Sequence, residues 1–347
     1  MPLRPRRLFV ALDKFKGALE ADAACEVVRR TILRCDPTLS IDSAPLTDGG
    51  DGFCRILTRA AQGELHEHAA TGPRFEGGRA PRVSATIGRI ELDRLPAAAR
   101  TLLGLDASAR RLAVIDMASV NGLALVPRER MDVWQSSSYG TGELLLAAME
   151  RGVDAILLGV GGSATSDLGL GALAALGLRF STQAGDALSP PLPADWSRIV
   201  RIDGSVARLP PLRIACDVDN PVFGERGAAA VYGPQKGLAP RDRPRLEADG
   251  ERLAALLCQH VGASSDALTR PGSGAAGAIA FGLSAAAGAR LVPGWALVDA
   301  WLRLDERLSR ADCVVTGEGR FDESSWSGKG PGSVLAAARA RGLRAVV

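Results

Sequence analysis

The sequence predicts an α/β protein of two domains, the first made from both ends of the chain and the second inserted between them. Within roughly the first sixty residues the order strand, loop, helix occurs twice, which is typical of a parallel sheet. A segment rich in Gly and Pro interrupts this pattern near residue 70, and the alternation returns from about residue 297. We therefore expect residues 1–70 and 291–347 to form one α/β domain and residues 71–290 to form the other.

The strands and helices near the N-terminus follow from the spacing of apolar residues. Leu8–Leu12 is a short apolar run that predicts a buried strand, and Ile41–Leu46 predicts a second one. Each is followed by a helix with an apolar stripe. The expected inward residues are Ala24, Val27, Val28, Thr31 and Cys35 in the first helix, and Phe53, Ile56, Leu57 and Ala60 in the second.

The inserted region and the C-terminal region continue the alternation. Further strands are predicted at Leu112–Met117, Ala155–Gly159 and Leu212–Cys216, and helices at about 141–151, 167–177, 242–261 and 275–288. From about 297, the spacing of Leu297, Trp301, Leu304 and Leu308 predicts a helix, DCVVT a strand and residues 330–341 another helix. The final LRAVV has the pattern of a buried strand with nothing after it, so we expect the C-terminus to be incomplete.

The composition limits the classes of protein. Of the 347 residues, 46% are hydrophobic and 23% are charged, which is ordinary for a globular chain. A net charge of +3 does not indicate nucleic acid or a membrane surface as a partner. The N-terminal apolar run is too short for a signal peptide. Six cysteines without a CxxC pair indicate reduced thiols, and we expect a cytoplasmic protein.

Seven loops combine glycine or small residues with a carboxylate, a lysine or a hydroxyl at the end of a strand or the start of a helix. They are DKFKG (13–17), TDGGDG (47–52), SSYGTGE (137–143), GVGGSATSD (159–167), CDVDNP (216–221), GSGAAG (272–277) and TGEGRFD (316–322). Ligands of open α/β sheets bind beyond the carboxyl ends of the strands, where such loops gather. Any one of them is usually only a turn, but seven in one chain indicate a phosphate-handling site.

The residue types in these loops narrow the chemistry. The Walker pattern is absent, and the GxGxxA match at 159–164 lacks the acidic residue that a nicotinamide site requires about twenty residues later. All three histidines lie outside the loops, and only four of the 42 basic residues are lysines. Asp, Glu, Lys, Ser and Thr suit Mg²⁺-dependent phosphoryl transfer, in which catalysis is mostly positioning and neutralisation of charge.

The seven motifs occur in the same order in a known family. DKFKG, TDGGDG, SSYGTGEL, GVGGSATSD, the long segment ACDVDNPVFGERGAAAVYGPQKG, GSGAAG and TGEGR-D resemble those of bacterial glycerate kinases of the glycerate 2-kinase type. The resemblance runs from about residue 8 to the last residue. It departs mildly at Lys14, Asp51 and Leu168, and relatives continue beyond Val347 with further elements of the first domain.

This resemblance implies a fold and an activity. The fold would be a flavodoxin- or Rossmann-like parallel-sheet domain from both chain ends with an inserted α/β domain, and the site would lie in the cleft between them. The activity would be ATP- and Mg²⁺-dependent phosphorylation of D-glycerate, with the 2-phosphate preferred over the 3-phosphate. The alternatives are a kinase for a related hydroxy or sugar acid, a nucleotide-dependent dehydrogenase using the GxGxxA loop, and a non-catalytic nucleotide or sugar-acid-binding protein. A homodimer is left open.

Candidate residues follow from the loops. The expected catalytic residues are Asp48, Lys16 and Asp217. The expected substrate- and phosphate-binding residues are Lys14, Gly49, Gly50, Tyr139, Gly140, Thr141, Gly161, Gly162, Ser163, Thr165, Asn220, Lys236, Gly274 and Arg320. The expected metal ligands are Asp167, Asp219 and Asp322, and Glu318 belongs to the same C-terminal loop as Asp322.

Two alternatives stay open among these residues. Asp48 could accept the substrate proton or bind metal, whereas Asp51 also fits an N-cap of the helix that follows. Asp217 and Asp219 would share one face if that segment is extended, because alternate residues of a strand point the same way.

Overall fold

A computed structural model describes residues 6–15, 17–321, 323–326 and 330–347. Its strands are β1 (Arg7–Leu12), β2 (Ser40–Ser43), β3 (Glu64–Thr71), β4 (Arg82–Glu91), β5 (Arg111–Asp116), β6 (Ala155–Gly159), β7 (Arg179–Thr182), β8 (Ala187–Leu188), β9 (Ile199–Asp203), β10 (Leu212–Cys216), β11 (Arg290–Pro293), β12 (Cys313–Gly317) and β13 (Arg344–Val346). Its α-helices are α1 (Ala21–Cys35), α2 (Phe53–Ala60), α3 (Ala97–Leu103), α4 (Ala118–Asn121), α5 (Tyr139–Glu150), α6 (Leu170–Ala175), α7 (Ala228–Tyr232), α8 (Arg243–Val261), α9 (Ala275–Ala287), α10 (Gly294–Leu302), α11 (Leu304–Ser309) and α12 (Gly330–Ala340).

One sheet is built from both ends of the chain. Its four strands lie in the order β13-β12-β1-β2, and each neighbouring pair is parallel. The centre of β1 is fully buried at Phe9 and Val10, as expected for an apolar strand covered on both faces. The predicted fold class, an α/β protein with a parallel sheet assembled from both chain ends, is confirmed.

A second sheet uses the middle of the chain. Its six strands lie in the order β11-β10-β6-β5-β4-β3, with β11 to β5 parallel and the β4 and β3 hairpin antiparallel. A small antiparallel sheet of β8, β7 and β9 lies apart from it. The chain changes sheets between β2 and β3 and again between β11 and β12. The division into domains at residues 70 and 291 stays a prediction.

Helices α2 and α10 join the two sheets. One apolar cluster contains Phe9 of the four-stranded sheet, Leu157 of the six-stranded sheet, and Leu57 and Trp301 of these two helices. The indole Nε1 of Trp301 also donates to Leu57 O at 3.0 Å. The two helices therefore form a packed layer between the sheets. In the part of the chain that the structure describes, no helix is long and apolar enough to cross a membrane.

Three local predictions were wrong. Helix α1 buries Ala21, Ala24 and Cys25, because only its first two turns lie close to the core, and it leaves Val27, Thr31 and Cys35 exposed. Ala60, at the last turn of α2, is exposed as well. The second strand ends at Ser43 rather than at Leu46.

The C-terminal elements differ in two further respects. The predicted helix through Leu297 and Leu308 is two helices, because the chain enters the left-handed region at Arg303 (φ 53°). All four of its marker residues are nevertheless buried. The last strand, β13, forms but is exposed rather than buried, since it is an edge strand that pairs with β12.

Candidate active site

The carboxyl ends of strands from both sheets meet at one place. The loop after β2 reaches the loop after β6, where Gly161 N donates to Gly49 O at 2.9 Å. The loop after β1 is held at the same edge, because Asp13 N donates to Gly317 O at the end of β12. Segments TDGGDG, GVGGSATSD, DKFKG and TGEGRFD are thus brought together as the fold class predicts.

Glycines make this meeting of loops possible. Gly49 has a φ of 92°, which L residues rarely adopt. A Cβ on Gly161 would lie 2.8 Å from Gly50 N, and a Cβ on Gly159 would lie 2.6 Å from Gly49 O. The two backbones touch directly, so these glycines are required by packing whether or not a phosphate binds there.

A cluster of charges lies beside this contact. The Lys14 ammonium is 3.1 Å from Asp51 Oδ2, and its side chain is mostly buried. Burial acts to lower the pKa of Lys14, but the carboxylates of Asp51, Asp48 and Asp13 outweigh burial and raise the pKa above its ordinary value. Lys14 therefore stays positively charged among these three carboxylates.

Asp13 is the functional candidate that the sequence analysis missed. Burial, followed by the negative charges of Asp48 and Glu318, raises its pKa from 3.8 to about 7, against the opposing effects of the Lys14 N–H and ammonium. Lys14 N donates to Asp13 Oδ1 at 2.7 Å and orients the carboxyl group. Its position as the first residue after β1 was a usable signal, because it precedes the motif lysines at the carboxyl end of a central strand.

The two aspartates of TDGGDG have different partners. Asp48 Oδ1 accepts a long bond of 3.3 Å from Gly50 N, and a Cβ on Gly50 would lie 3.2 Å from both Asp48 Oδ1 and Lys14 Nζ. Asp51 does not cap helix α2, whose N-cap is Gly52 in the left-handed conformation without a side-chain cap. Asp51 pairs with Lys14 instead.

Lys236 lies beneath the loop after β6. Its Nζ donates to Ser163 Oγ at 2.9 Å and to Thr165 O at 2.6 Å, and the side chain is fully buried. Burial lowers its pKa to about 7, although the charge of Asp167 opposes this. The three predicted residues Lys236, Ser163 and Thr165 are thus brought together, and they hold the loop in shape.

Asp167 does not have the surroundings of a metal ligand. Its buried carboxylate accepts from Ser138 N at 2.7 Å, Ser138 Oγ at 2.8 Å and the N–H groups of Gly169 and Gly171, both at 3.2 Å. Burial raises its pKa despite these bonds. Since protein donors already occupy both oxygens, the geometry supports a structural role that joins the loop to the starts of α5 and α6.

The CDVDNP segment does not form a carboxylate pair. Both oxygens of Asp217 accept from Trp295 N at 2.9 Å in the first turn of α10, whereas the exposed Asp219 pairs with Arg226 at 2.7 Å. Asn220 bonds to the Tyr232 hydroxyl and to Arg226 O, both at 2.8 Å. The expectation that Asp217 and Asp219 act together is not supported, because their contacts lie on different elements.

Several other predicted residues occupy packing positions. Thr141 donates to Asn121 Oδ1 through its N–H at 2.9 Å and its hydroxyl at 2.6 Å. A Cβ on Gly140 would overlap Thr71 O, and one on Gly274 would overlap Pro221 O. Tyr139 is half-buried at the start of α5.

The remaining predicted residues lie next to the charged cluster around Lys14, at the surface, or outside the described residues. Gly162 faces the cluster, since a Cβ there would lie 4.0 Å from Asp51 Oδ2. Arg320 is exposed in the loop after β12, next to Gly319, whose N–H donates to Lys14 O at 3.4 Å. Lys16 and Asp322 lie outside the described residues. In the described ranges no group of three or more His, Cys, Asp or Glu side chains is arranged to hold a metal ion.

The chain is similar to known proteins along nearly its whole length. A family model described as the glycerate kinase family matches residues 8–347. A glycerate kinase of Halalkalibacterium halodurans is 35% identical over 342 residues, which cover 97% of this chain and 83% of that protein. A glycerate 2-kinase of Escherichia coli is 33% identical over 333 residues, which cover 94% of this chain and 80% of that protein.

A solved structure has a fold similar to that of this chain. The crystal structure of a glycerate kinase 2 from Salmonella typhimurium superposes with a TM-score of 0.74 at 34% identity, covering 98% of this chain and 85% of that one. Shared sequence, shared fold and the meeting of the motif loops lead to one assignment. The chain belongs to the glycerate kinase family, whose members are phosphotransferases with an alcohol as acceptor.

Proposed function

We propose that this protein transfers the γ-phosphoryl group of ATP to D-glycerate with the help of Mg²⁺, and that the product is 2-phosphoglycerate rather than 3-phosphoglycerate. Membership of the family and the relative named glycerate 2-kinase support the substrate and the position. The observation that carries the proposal is the position of the Asp13 carboxyl group at the meeting of the loops, where Lys14 N donates to its Oδ1 at 2.7 Å and burial raises its pKa to about 7.

Asp13 is suited to accept the proton of the substrate hydroxyl. A general base works best when its pKa lies near the working pH, and a pKa of about 7 meets this condition. In the reaction the hydroxyl oxygen bonds to the γ-phosphorus, its proton passes to Asp13, and the bond from the γ-phosphorus to the bridging oxygen breaks to release ADP. Lys14 offsets the negative charge that gathers on the phosphoryl oxygens.

The donor set fits Mg²⁺. Magnesium prefers oxygen ligands and needs only one or two carboxylates when substrate phosphates complete its shell. Asp48 and Glu318 would hold it, because their carboxylates lie close enough to Asp13 for their negative charges to raise its pKa. When bound, the ion neutralises charge on the phosphates.

The other predicted residues divide between two roles in this proposal. We propose that phosphate and glycerate are bound by Lys16, Gly49, Gly50, Gly161, Gly162, Ser163, Arg320 and Asp322. We assign Asp167, Asp217, Asp219, Asn220, Tyr139, Gly140, Thr141, Thr165, Lys236 and Gly274 to the scaffold that holds these loops. The two-domain division, the cytoplasmic location and the absence of a nucleic-acid partner remain predictions from the sequence, and a homodimer is left open.

The experiment is ADP release from Mg-ATP with D-glycerate, with L-glycerate and with neither. We expect release that depends on D-glycerate and a new phosphomonoester in the ³¹P NMR spectrum. Coupling of phosphorus to one proton identifies the 2-phosphate, and coupling to two protons identifies the 3-phosphate. ATP binding without glycerate-dependent release would overturn the proposal and favour another hydroxy acid or a non-catalytic role.

A further inference from the structure

A second concave site lies at the far ends of the two helices that join the sheets. A cavity of about 410 Å³, called here the arginine cavity, is lined by Arg94, Arg303, Arg307, Gln62, Pro96 and Trp301, together with other small or apolar groups. Its volume falls within the range of small-molecule sites. None of its lining residues is acidic.

The arginine cavity is separate from the site described above. It is formed at the C-terminal ends of α2 and α10, whereas TDGGDG precedes the N-terminus of α2 and Asp217 caps the N-terminus of α10. At a rise of 1.5 Å per residue, each helix spans about 12 Å or slightly more. The cavity and the catalytic loops therefore lie at opposite ends of one layer of the fold.

The charges of the arginine cavity favour an anion. Two nitrogens of Arg307 already have partners in the protein, since Nη1 donates to Asp42 Oδ1 at 2.6 Å and Nε donates to Leu302 O at 2.8 Å. Arg94 donates to Gln62 O through Nη1. The Arg303 side chain is 57% exposed and lies 3.9 Å from Glu306, which has a much shorter contact with Arg310.

The arginine cavity has a net positive charge. Three guanidinium groups lie at the C-terminal ends of two helices, which contribute roughly half a negative charge each, and near the carboxylates of Asp42 and Glu306. Because the shorter contact with Arg310 offsets the charge of Glu306, the sum leaves about one net positive charge. Guanidinium groups bind phosphate through two parallel N–H bonds, which a lysine cannot offer.

We propose that the arginine cavity binds a small phosphomonoester anion, with the phosphate on the guanidinium groups and the carbon part against Trp301 and Pro96.

The test is calorimetric titration of the full chain, without ATP, with phenyl phosphate, a phosphomonoester that carries a flat apolar group. We expect one saturable event per chain near millimolar affinity and none with phenol. Arg303→Asn, which keeps a residue that tolerates the left-handed backbone, and Arg94→Gln each raise Kd about tenfold. Arg310→Gln, on the same helical segment but outside the lining, and Lys14→Gln, in the catalytic cluster, leave Kd unchanged.

Three results would overturn the proposal. The first is the absence of saturable heat. The second is loss of binding in Lys14→Gln with retention in Arg303→Asn and Arg94→Gln, which places the anion at the catalytic loops. The third is an equal loss in Arg310→Gln, which shows only general attraction by surface charge. Since the titration contains no ATP and measures no product, failure here is distinct from failure of the kinase proposal.

Discussion

Replacement of Asp13 by Asn tests the proposed site most directly, because activity and stability should move in opposite directions. Asn keeps the shape of the side chain and can still accept the 2.7 Å bond from Lys14 N, but it cannot take a proton from the substrate. Loss of a general base typically lowers the rate about 10²- to 10⁴-fold. We expect kcat to fall by that order with Mg-ATP and D-glycerate both saturating.

The pH dependence follows from the same group. Asp13 must be deprotonated to act, so kcat/KM of the wild type should fall about tenfold for each pH unit below its pKa of about 7. In Asp13→Asn this limb of the profile should disappear from the residual activity. A wild-type profile that stays flat down to pH 5 would refute Asp13 as the base.

Stability should change in the other direction. The folded pKa of Asp13 is raised above 3.8, so its contribution to stability is fully present below that pH and is lost as the pH rises through about 7. Three units at about 1.4 kcal/mol each set an upper limit of about 4 kcal/mol, and partial exposure reduces this to about 2 kcal/mol. At pH 8 Asp13→Asn should therefore melt roughly 3 °C higher than the wild type, with no advantage at pH 4.

Thermal unfolding of the wild type and Asp13→Asn at pH 4 and pH 8 checks this predicted difference in Tm. Asp186→Asn, in the exposed turn between β7 and β8, is a matched control that should change neither activity nor Tm. A lower Tm of Asp13→Asn at pH 8 would show that the surroundings stabilise the carboxylate, in conflict with its raised pKa.

The remaining predictions concern the scaffold and its glycines. Lys236 has a folded pKa lowered to about 7, so its contribution to stability is present above pH 10.5 and is lost as the pH falls through 7. The Tm of Lys236→Met should therefore rise relative to that of the wild type as the pH is lowered from 9 to 6. A difference in Tm that stays constant over this range would contradict the prediction. Gly161→Ala places a Cβ 2.8 Å from Gly50 N and should lose about 1–3 kcal/mol of stability and most of the activity; unchanged kcat would show that the loop contact is dispensable. Asp167→Asn should lower the free energy of unfolding by about 1–3 kcal/mol, because the carboxylate accepts hydrogen bonds from protein donors. The Mg²⁺ concentration that gives the half-maximal rate should stay unchanged. A large rise in that concentration would show that Asp167 is a metal ligand.

Much of the architecture was predictable from local patterns. The apolar runs that became β1, β6 and β10 were found within a residue of their bounds, since a strand buried on both faces must be apolar along its length. The face of α1 was not predictable in the same way, because small residues at Ala24 and Cys25 decided the contact rather than the larger Val27. Propensity and spacing do not show how far along a helix the packing extends.

The sequence by itself determined the α/β class, the order of the motif loops, the family and the segments that form the candidate site. Only the tertiary structure decided what each polar residue contacts. It shows Asp167, an expected metal ligand, and Asp217, an expected catalytic residue, as acceptors for backbone N–H groups, and it revealed Asp13 by its burial beside Asp48 and Glu318. The physical reason is that a carboxylate's role depends on the donors, charges and solvent around it, and these come from segments far apart in the chain.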